Sequence, residues 1–128
     1  MARKDTKPLT PRQLKVGEEL KRIIAESLSK GKVYLNGFNT AEAVISEVRV
    51  SPDFSVAKVF VSPLLATGNM QQLIDNMYLL KGQLKKILGG KIRLRITPDL
   101  VFLPDESFAE ADRIESLLSS PEVKRDLA

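Results

Sequence analysis

Between residues 79 and 97 the chain places six basic side chains, Lys81, Lys85, Lys86, Lys91, Arg93 and Arg95, and no Asp or Glu. Ammonium and guanidinium groups at this density suit a polyanion, because each neutralises one phosphate and releases its counterions. The rest of the chain is mixed. Residues 1–32 hold nine Lys/Arg against four Asp/Glu, residues 33–78 two against four, and residues 98–128 three against eight, within a formal net charge of +4. Arg12, Lys15 and Arg22, ahead of the block, are candidates to extend it. The bland alternative is a solvated surface that is basic by chance.

Catalytic chemistry is poorly supplied. The chain has no Cys and no His, which removes thiolate nucleophiles, disulfides, the commonest general base and the commonest metal ligand. Of its acidic candidates, Asp105, Glu106, Glu110 and Asp112, the first two fall at a helix start, where negative charge is favoured by the helix dipole, and Glu110 belongs to a capping box. No phosphate-cradling or dinucleotide-binding glycine pattern occurs, and no cluster has metal-ligand spacing. The expectation is a non-enzyme without cofactor or metal. Five Phe and two Tyr are too few for an aromatic stacking platform of the RRM kind, so recognition of RNA shape and backbone is the better reading.

The elements that must position these cations follow from periodicity. Thr10-Pro11-Arg12-Gln13 has the form of a capping box with Pro at the first helical position, and Leu9 and Leu14 stand at staple positions. Val16, Leu20, Ile23, Ile24 and Leu28 then recur at helical spacing until Gly31. Residues 29–42 show no period and read as a loop. Val44, Ser46, Val48 and Val50 alternate, as do Ala57, Val59 and Val61, and Ser51-Pro52-Asp53-Phe54 between them predicts a hairpin. Asn69 caps a second helix with an apolar stripe through Met70, Leu73, Ile74, Met77, Leu80, Leu84, Ile87 and Leu88. Lys81 projects into that stripe beside Gly82, which predicts a bend or break at Leu80-Lys81-Gly82, with a continuous helix and a snorkelling lysine as the alternative. Gly89-Gly90 is the expected stop. Lys91–Thr97 alternates as a strand, with Ile92, Leu94 and Ile96 inward, and Pro98 forces any continuation through Leu100–Leu103 to bend or lie at an edge. A capping box at Ser107–Glu110 opens a short last helix, closed by Pro121. The fold class expected is α+β: two layers, a three-stranded sheet with helices on one face. The domain spans 10–118, between a flexible basic segment at 1–9 and a flexible tail at 119–128, and no membrane-spanning run or secretory leader is seen.

Taken in order, several segments resemble the bacterial ribosome-binding factor A family. They are Arg12-x-x-Lys15-Val16, Val50-Ser51-Pro52-Asp53, Ala57-Lys58-Val59-Phe60-Val61 and the run Leu88-Gly89 … Ile92-Arg93-Leu94-Arg95-Ile96-Thr97-Pro98-Asp99-Leu100-x-Phe102. Asp105-Glu106-Ser107 and Arg113-Ile114 follow, so the likeness covers roughly residues 10–118. It implies a KH-like (type II) domain in which a helix-kink-helix at Leu80, Lys81 and Gly82 replaces the GxxG loop. Gly82 is kept where the family has Ala-x-Gly, but Leu80 stands in place of the alanine, and Ala111 stands where many members carry glycine. The resemblance implies a cytoplasmic factor that binds the free, immature small ribosomal subunit and its rRNA. Such a factor assists late maturation and five-prime-end processing and, in part of the family, is released by a ribosome-associated GTPase. On this reading Lys81, Gly82, Lys85, Lys86, Lys91, Arg93 and Arg95 contact RNA, extended by Arg12, Lys15 and Arg22, in a protein expected to be a monomer. Two rivals remain at this point: a protein-interaction adaptor using the acidic segment 98–128, and a general nucleic-acid binder.

Overall fold

The computed structural model describes residues 8–65 and 67–105. The last helix expected from Ser107, the 119–128 tail and residues 1–7 of the N-terminal segment lie outside them. Within them the order is α1 (Pro11–Ser29), a 3-10 turn (Thr40–Glu42), β1 (Ala43–Val50), β2 (Val56–Pro63), α2 (Met70–Lys91) and β3 (Asp99–Pro104).

α1 starts as its capping box dictates: Gln13 N donates to Thr10 Oγ1 at 3.1 Å and Thr10 N donates to Gln13 Oε1 at 2.9 Å. The same Gln13 spends its amide on tertiary structure, since Nε2 donates to the Val50 carbonyl at 3.0 Å and so ties the head of α1 to the end of β1. At the other end, Lys32 N bonds Ser27 O and Gly31 N bonds Leu28 O, with Gly31 at φ +65°. This is a Schellman stop, and it places Lys30 and Lys32 on either side of the glycine. Leu14, at the expected staple position, is more than half exposed.

The hairpin forms, with one change of phase. Between Ile45 and Glu47 the register against β2 shifts, Ile45 facing Val61 and Glu47 facing Phe60. The bulge rotates the strand by one residue, so the helix-facing set of β1 is Ala43, Ile45, Val48 and Val50, and not the simple alternation from Val44 and Ser46. Ser46, the extra residue, donates its hydroxyl to Phe60 O at 3.2 Å. In the turn, Asp53 Oδ1 accepts from Ser51 Oγ, Ser55 N and Ser55 Oγ, and these bonds hold its carboxyl below the usual range.

Two expectations after residue 80 need correction. First, α2 is one uninterrupted helix through Leu80, Lys81 and Gly82, and it passes Gly89-Gly90 to end at Lys91. The expected break at Lys81 does not occur: that side chain leaves the buried stripe sideways and reaches Asp99 Oδ1 at 3.2 Å, as the continuous-helix alternative has it. Second, Lys91–Thr97 is not the third strand. The third strand is Asp99–Pro104, parallel to β2 with Ala57 beside Leu100 and Val59 beside Phe102, in the sheet order β1-β2-β3. Both segments have strand character, but only one can occupy the edge of β2. The run 100–103 buries Leu100 and Phe102 almost completely, whereas Ile96 remains 73 % exposed. Ile92–Pro98 therefore serves as the connector from α2 to β3, and β3 takes the edge position that Pro98 suggested.

The core lies between the two helices and one sheet face. Leu20, Ile24 and Leu28 of α1 and Met77, Leu80, Leu84 and Leu88 of α2 pack over Val48, Val59, Val61, Leu100 and Phe102. Phe60 is buried on the opposite face of the sheet. Among the described residues no helix is long and apolar enough to cross a membrane.

Candidate nucleic-acid interface

The basic residues separate into two groups along α2. The first gathers where the C-terminal ends of α1 and α2 meet. Glu26 accepts Lys30 Nζ and Lys32 Nζ at 3.3 Å each, and Arg22 Nη1 lies 3.9 Å from its other oxygen. Lys91, in the last turn of α2, sits against Lys32, and that neighbouring ammonium holds Lys91 below the ordinary lysine range. Among the described residues, Glu26 is the carboxylate that pairs with this group, so several neighbouring cations at an exposed surface share one counter-charge. Helix C-termini favour cations, which lowers the cost of assembling them there.

The second group lies roughly 9–15 Å back along the helix. Lys81 and Lys85 both reach Asp99 Oδ1, at 3.2 and 3.4 Å. Asp99 opens β3, and the two lysines, first of all the hydrogen bond from Lys81, hold its carboxyl below the usual range. Lys81 also stands 5.9 Å from the Tyr78 ring centroid. These two cations, central to the expected site, are thus already satisfied within the fold. Lys86 points outward on α2, Gly82 is exposed with open space where a Cβ would be, and Arg93 and Arg95 are exposed on the connector.

Among the residues thought to extend the block, Arg22 belongs to the first group, but Arg12 and Lys15 do not. They lie at the opposite end of α1, where the Arg12 guanidinium stacks over Phe54 of the hairpin turn, 4.7 Å from the ring centroid. Sequence reasoning missed Lys30 and Lys32, because they fall at a helix stop and in an aperiodic loop. Their only signal was the basic excess of residues 1–32.

The lowered carboxyls of Glu26, Asp53 and Asp99 carry a pH consequence. In the unfolded chain these groups take up protons first as pH falls. The stability they contribute is present above the ordinary carboxyl range of roughly pH 4 and is lost as pH drops through their depressed folded values. Urea unfolding followed by circular dichroism is expected to give a midpoint that is flat from pH 7 to 5 and falls below about pH 4. Asp99→Asn should make that fall shallower, and an unchanged acid limb would remove Asp99 from the account.

Among the described residues no cluster of metal-ligating side chains occurs. Comparisons with known proteins agree on one family. The sequence profile of the family described as ribosome-binding factor A matches residues 12–118. Ribosome-binding factor A of Zymomonas mobilis is 40% identical over 116 residues, spanning 91% of this chain and 82% of that protein, and that of Paramagnetospirillum magneticum is 40% identical over 121 residues, spanning 94% and 84%. The crystal structure of the Thermus thermophilus factor superposes with a TM-score of 0.58 at 24% identity, covering 72% of this chain and 94% of that one. A Thermus thermophilus RbfA fitted into a cryo-EM map of a 30S–RbfA complex gives 0.51 at 26% identity, covering 68% and 88%. The fold is the KH-like α+β fold of these structures. The two-layer fold and the matched span together show that this chain is a member of the ribosome-binding factor A family.

Proposed function

We propose that this protein binds the free, immature small ribosomal subunit through its rRNA and assists late maturation, including five-prime-end processing. The observation that carries the reading is the junction of α1 and α2, where Arg22, Lys30, Lys32 and Lys91 converge around one carboxylate. A backbone-reading surface needs several cations within the reach of successive phosphates, and this junction supplies them on rigid helix ends. Lys86, Arg93 and Arg95, all exposed, supply further phosphate contacts, while Lys81 and Lys85 join them when a phosphate displaces Asp99. Arg12 and Lys15 form a separate, weaker contact at the far end of α1. Gly82 allows close backbone approach on the exposed side of α2, and the Leu80-Lys81-Gly82 segment is the place where the helix would bend on the particle. The protein acts without catalysis, as a cytoplasmic monomer, and a ribosome-associated GTPase releases it.

The family relationship supports the small subunit as the partner, since a relative has been placed on a 30S particle. The test is sucrose-gradient sedimentation of extract from cells making tagged protein, at low and moderate salt. Signal with free small subunits that declines as salt rises, and is absent from translating ribosomes, is the expected result. Signal confined to the top of the gradient at every salt would overturn the reading in favour of a protein adaptor. Duplex DNA should compete less well than rRNA, and equal competition would point to a general nucleic-acid binder.

A further inference from the structure

Tyr34 stands 71 % exposed, although the chain around it is firmly anchored. Val33 before it is buried in the core. Its own backbone is gripped from α2: Tyr34 N donates to Gln83 Oε1 and Gln83 Nε2 donates to Tyr34 O, both at 2.8 Å. After it, a bridge between Leu35 and Phe38 closes a tight loop around Gly37, which has φ +80°. The Tyr34 hydroxyl donates to Asn36 Oδ1 at 3.3 Å. A side chain 49 residues away thus fixes the backbone of a ring that the fold leaves in water. Such pre-organisation removes much of the ordering cost of binding.

The surroundings of the ring decide what it fits. Residues three and four positions from Gln83 share its helix face. They include Leu79, itself 67 % exposed, and the outward Lys86. Lys32 lies two residues before Tyr34, and its ammonium is near enough to Lys91 to hold that lysine below the ordinary range. From residue 76 to residue 98 the chain has no carboxylate. An apolar plane set among ammonium groups suits a flat π-system joined to phosphates, because every base offers a face for stacking and its backbone offers the charge. An acidic peptide would use the cations and leave the ring idle.

We propose that Tyr34 is a stacking platform for one unpaired RNA base, with Lys32, Lys86 and Lys91 holding the flanking phosphates. The assignment rests on the RNA-binding function above and gives it a preference for unpaired over duplex RNA.

The test uses the full chain carrying Tyr78→Phe. With no Trp and only two Tyr in the sequence, this substitution leaves Tyr34 as the sole reporter of tyrosine fluorescence. Titration with single-stranded oligoadenylate is expected to quench that emission, whereas inorganic polyphosphate should bind without quenching. Tyr34→Ala should weaken oligoadenylate binding roughly tenfold, with the salt slope retained, and Tyr34→Phe should keep near-native affinity. Gln83→Ala, which frees the backbone but keeps the ring, should fall between them. Equal affinity of Tyr34→Ala and the parent, or bound oligoadenylate without quenching, overturns the stacking role. Wild-type protein that sediments with small subunits yet does not bind oligoadenylate at low salt overturns stacking and leaves the proposed function standing. Loss of sedimentation as well overturns both.

Discussion

Replacing Lys91 with glutamate is expected to weaken binding to small subunits roughly tenfold near 0.1 M salt and to lower the salt slope by about 0.7–0.9. The stability of the fold should change little. Both expectations follow from the junction of the two helices, where relief of the repulsion from Lys32 is offset by the loss of a cation at a helix C-terminus. In the native protein the neighbouring Lys32 ammonium lowers the proton affinity of Lys91, so the folded chain bears a like-charge repulsion there. Glutamate turns that repulsion into attraction, worth little at an exposed site. It also removes one phosphate contact and adds a negative charge facing the RNA. Asp99→Asn should act the other way. Releasing Lys81 and Lys85 from the carboxylate that holds them gives the surface two more free cations, so affinity should rise several-fold and the salt slope should steepen. Lys58→Glu, on an exposed position of β2, is the control and should change neither measure. If Lys91→Glu and Lys58→Glu lose affinity equally, binding follows net charge alone and the junction has no special part.

The limits of legibility in the sequence have the same physical origin. Elements written in local chemistry were readable. The capping box at Thr10 and Gln13, the stop at Gly31, the Asn69 cap and the Ser51–Phe54 turn each depend on residues within a few positions of one another, and all formed. What depends on competition between distant segments was not. Lys91–Thr97 has better alternation than Asp99–Pro104, and only the availability of the β2 edge decides between them. The bulge after Ile45 is visible only once two strands are paired. The candidate interface follows the same division. The basic block was evident as composition, yet sequence spacing could not tell that Asp99 engages two of its lysines. Nor could it tell that Lys30 and Lys32, past a helix stop, join Lys91 in space. Tyr34 was invisible for the same reason, since its anchor lies in another element.

Two glycine-to-alanine substitutions are expected to move stability in opposite directions, although both sit in helix interiors. Alanine is favoured over glycine there by roughly 1 kcal/mol in each case, so packing alone sets the difference. At Gly82 a Cβ would meet no atom within 4 Å. The propensity gain should therefore appear almost in full, as about 0.5–1 kcal/mol of added stability. At Gly17 a Cβ would lie 2.6 Å from the carbonyl oxygen of Val48. That oxygen belongs to β1, whose neighbouring strand and bulge fix its position, so relief requires α1 to lift from the sheet. Lifting α1 strains the Gln13 to Val50 hydrogen bond and the contacts of Leu20 and Ile24 beneath the helix. The expected net cost is about 1–3 kcal/mol, and more for any larger side chain. Urea titrations of the two variants should bracket the parent, with its slope retained. A Gly17→Ala protein as stable as the parent would mean that α1 sits looser on β1 than the close approach to Val48 implies. Gly82→Ala carries a second consequence. If the helix bends at Leu80-Lys81-Gly82 on the ribosomal particle, stiffening that turn should weaken sedimentation with small subunits even as the isolated fold gains stability. Binding that stays level while stability rises would show that α2 engages the particle as the continuous helix seen in the free protein.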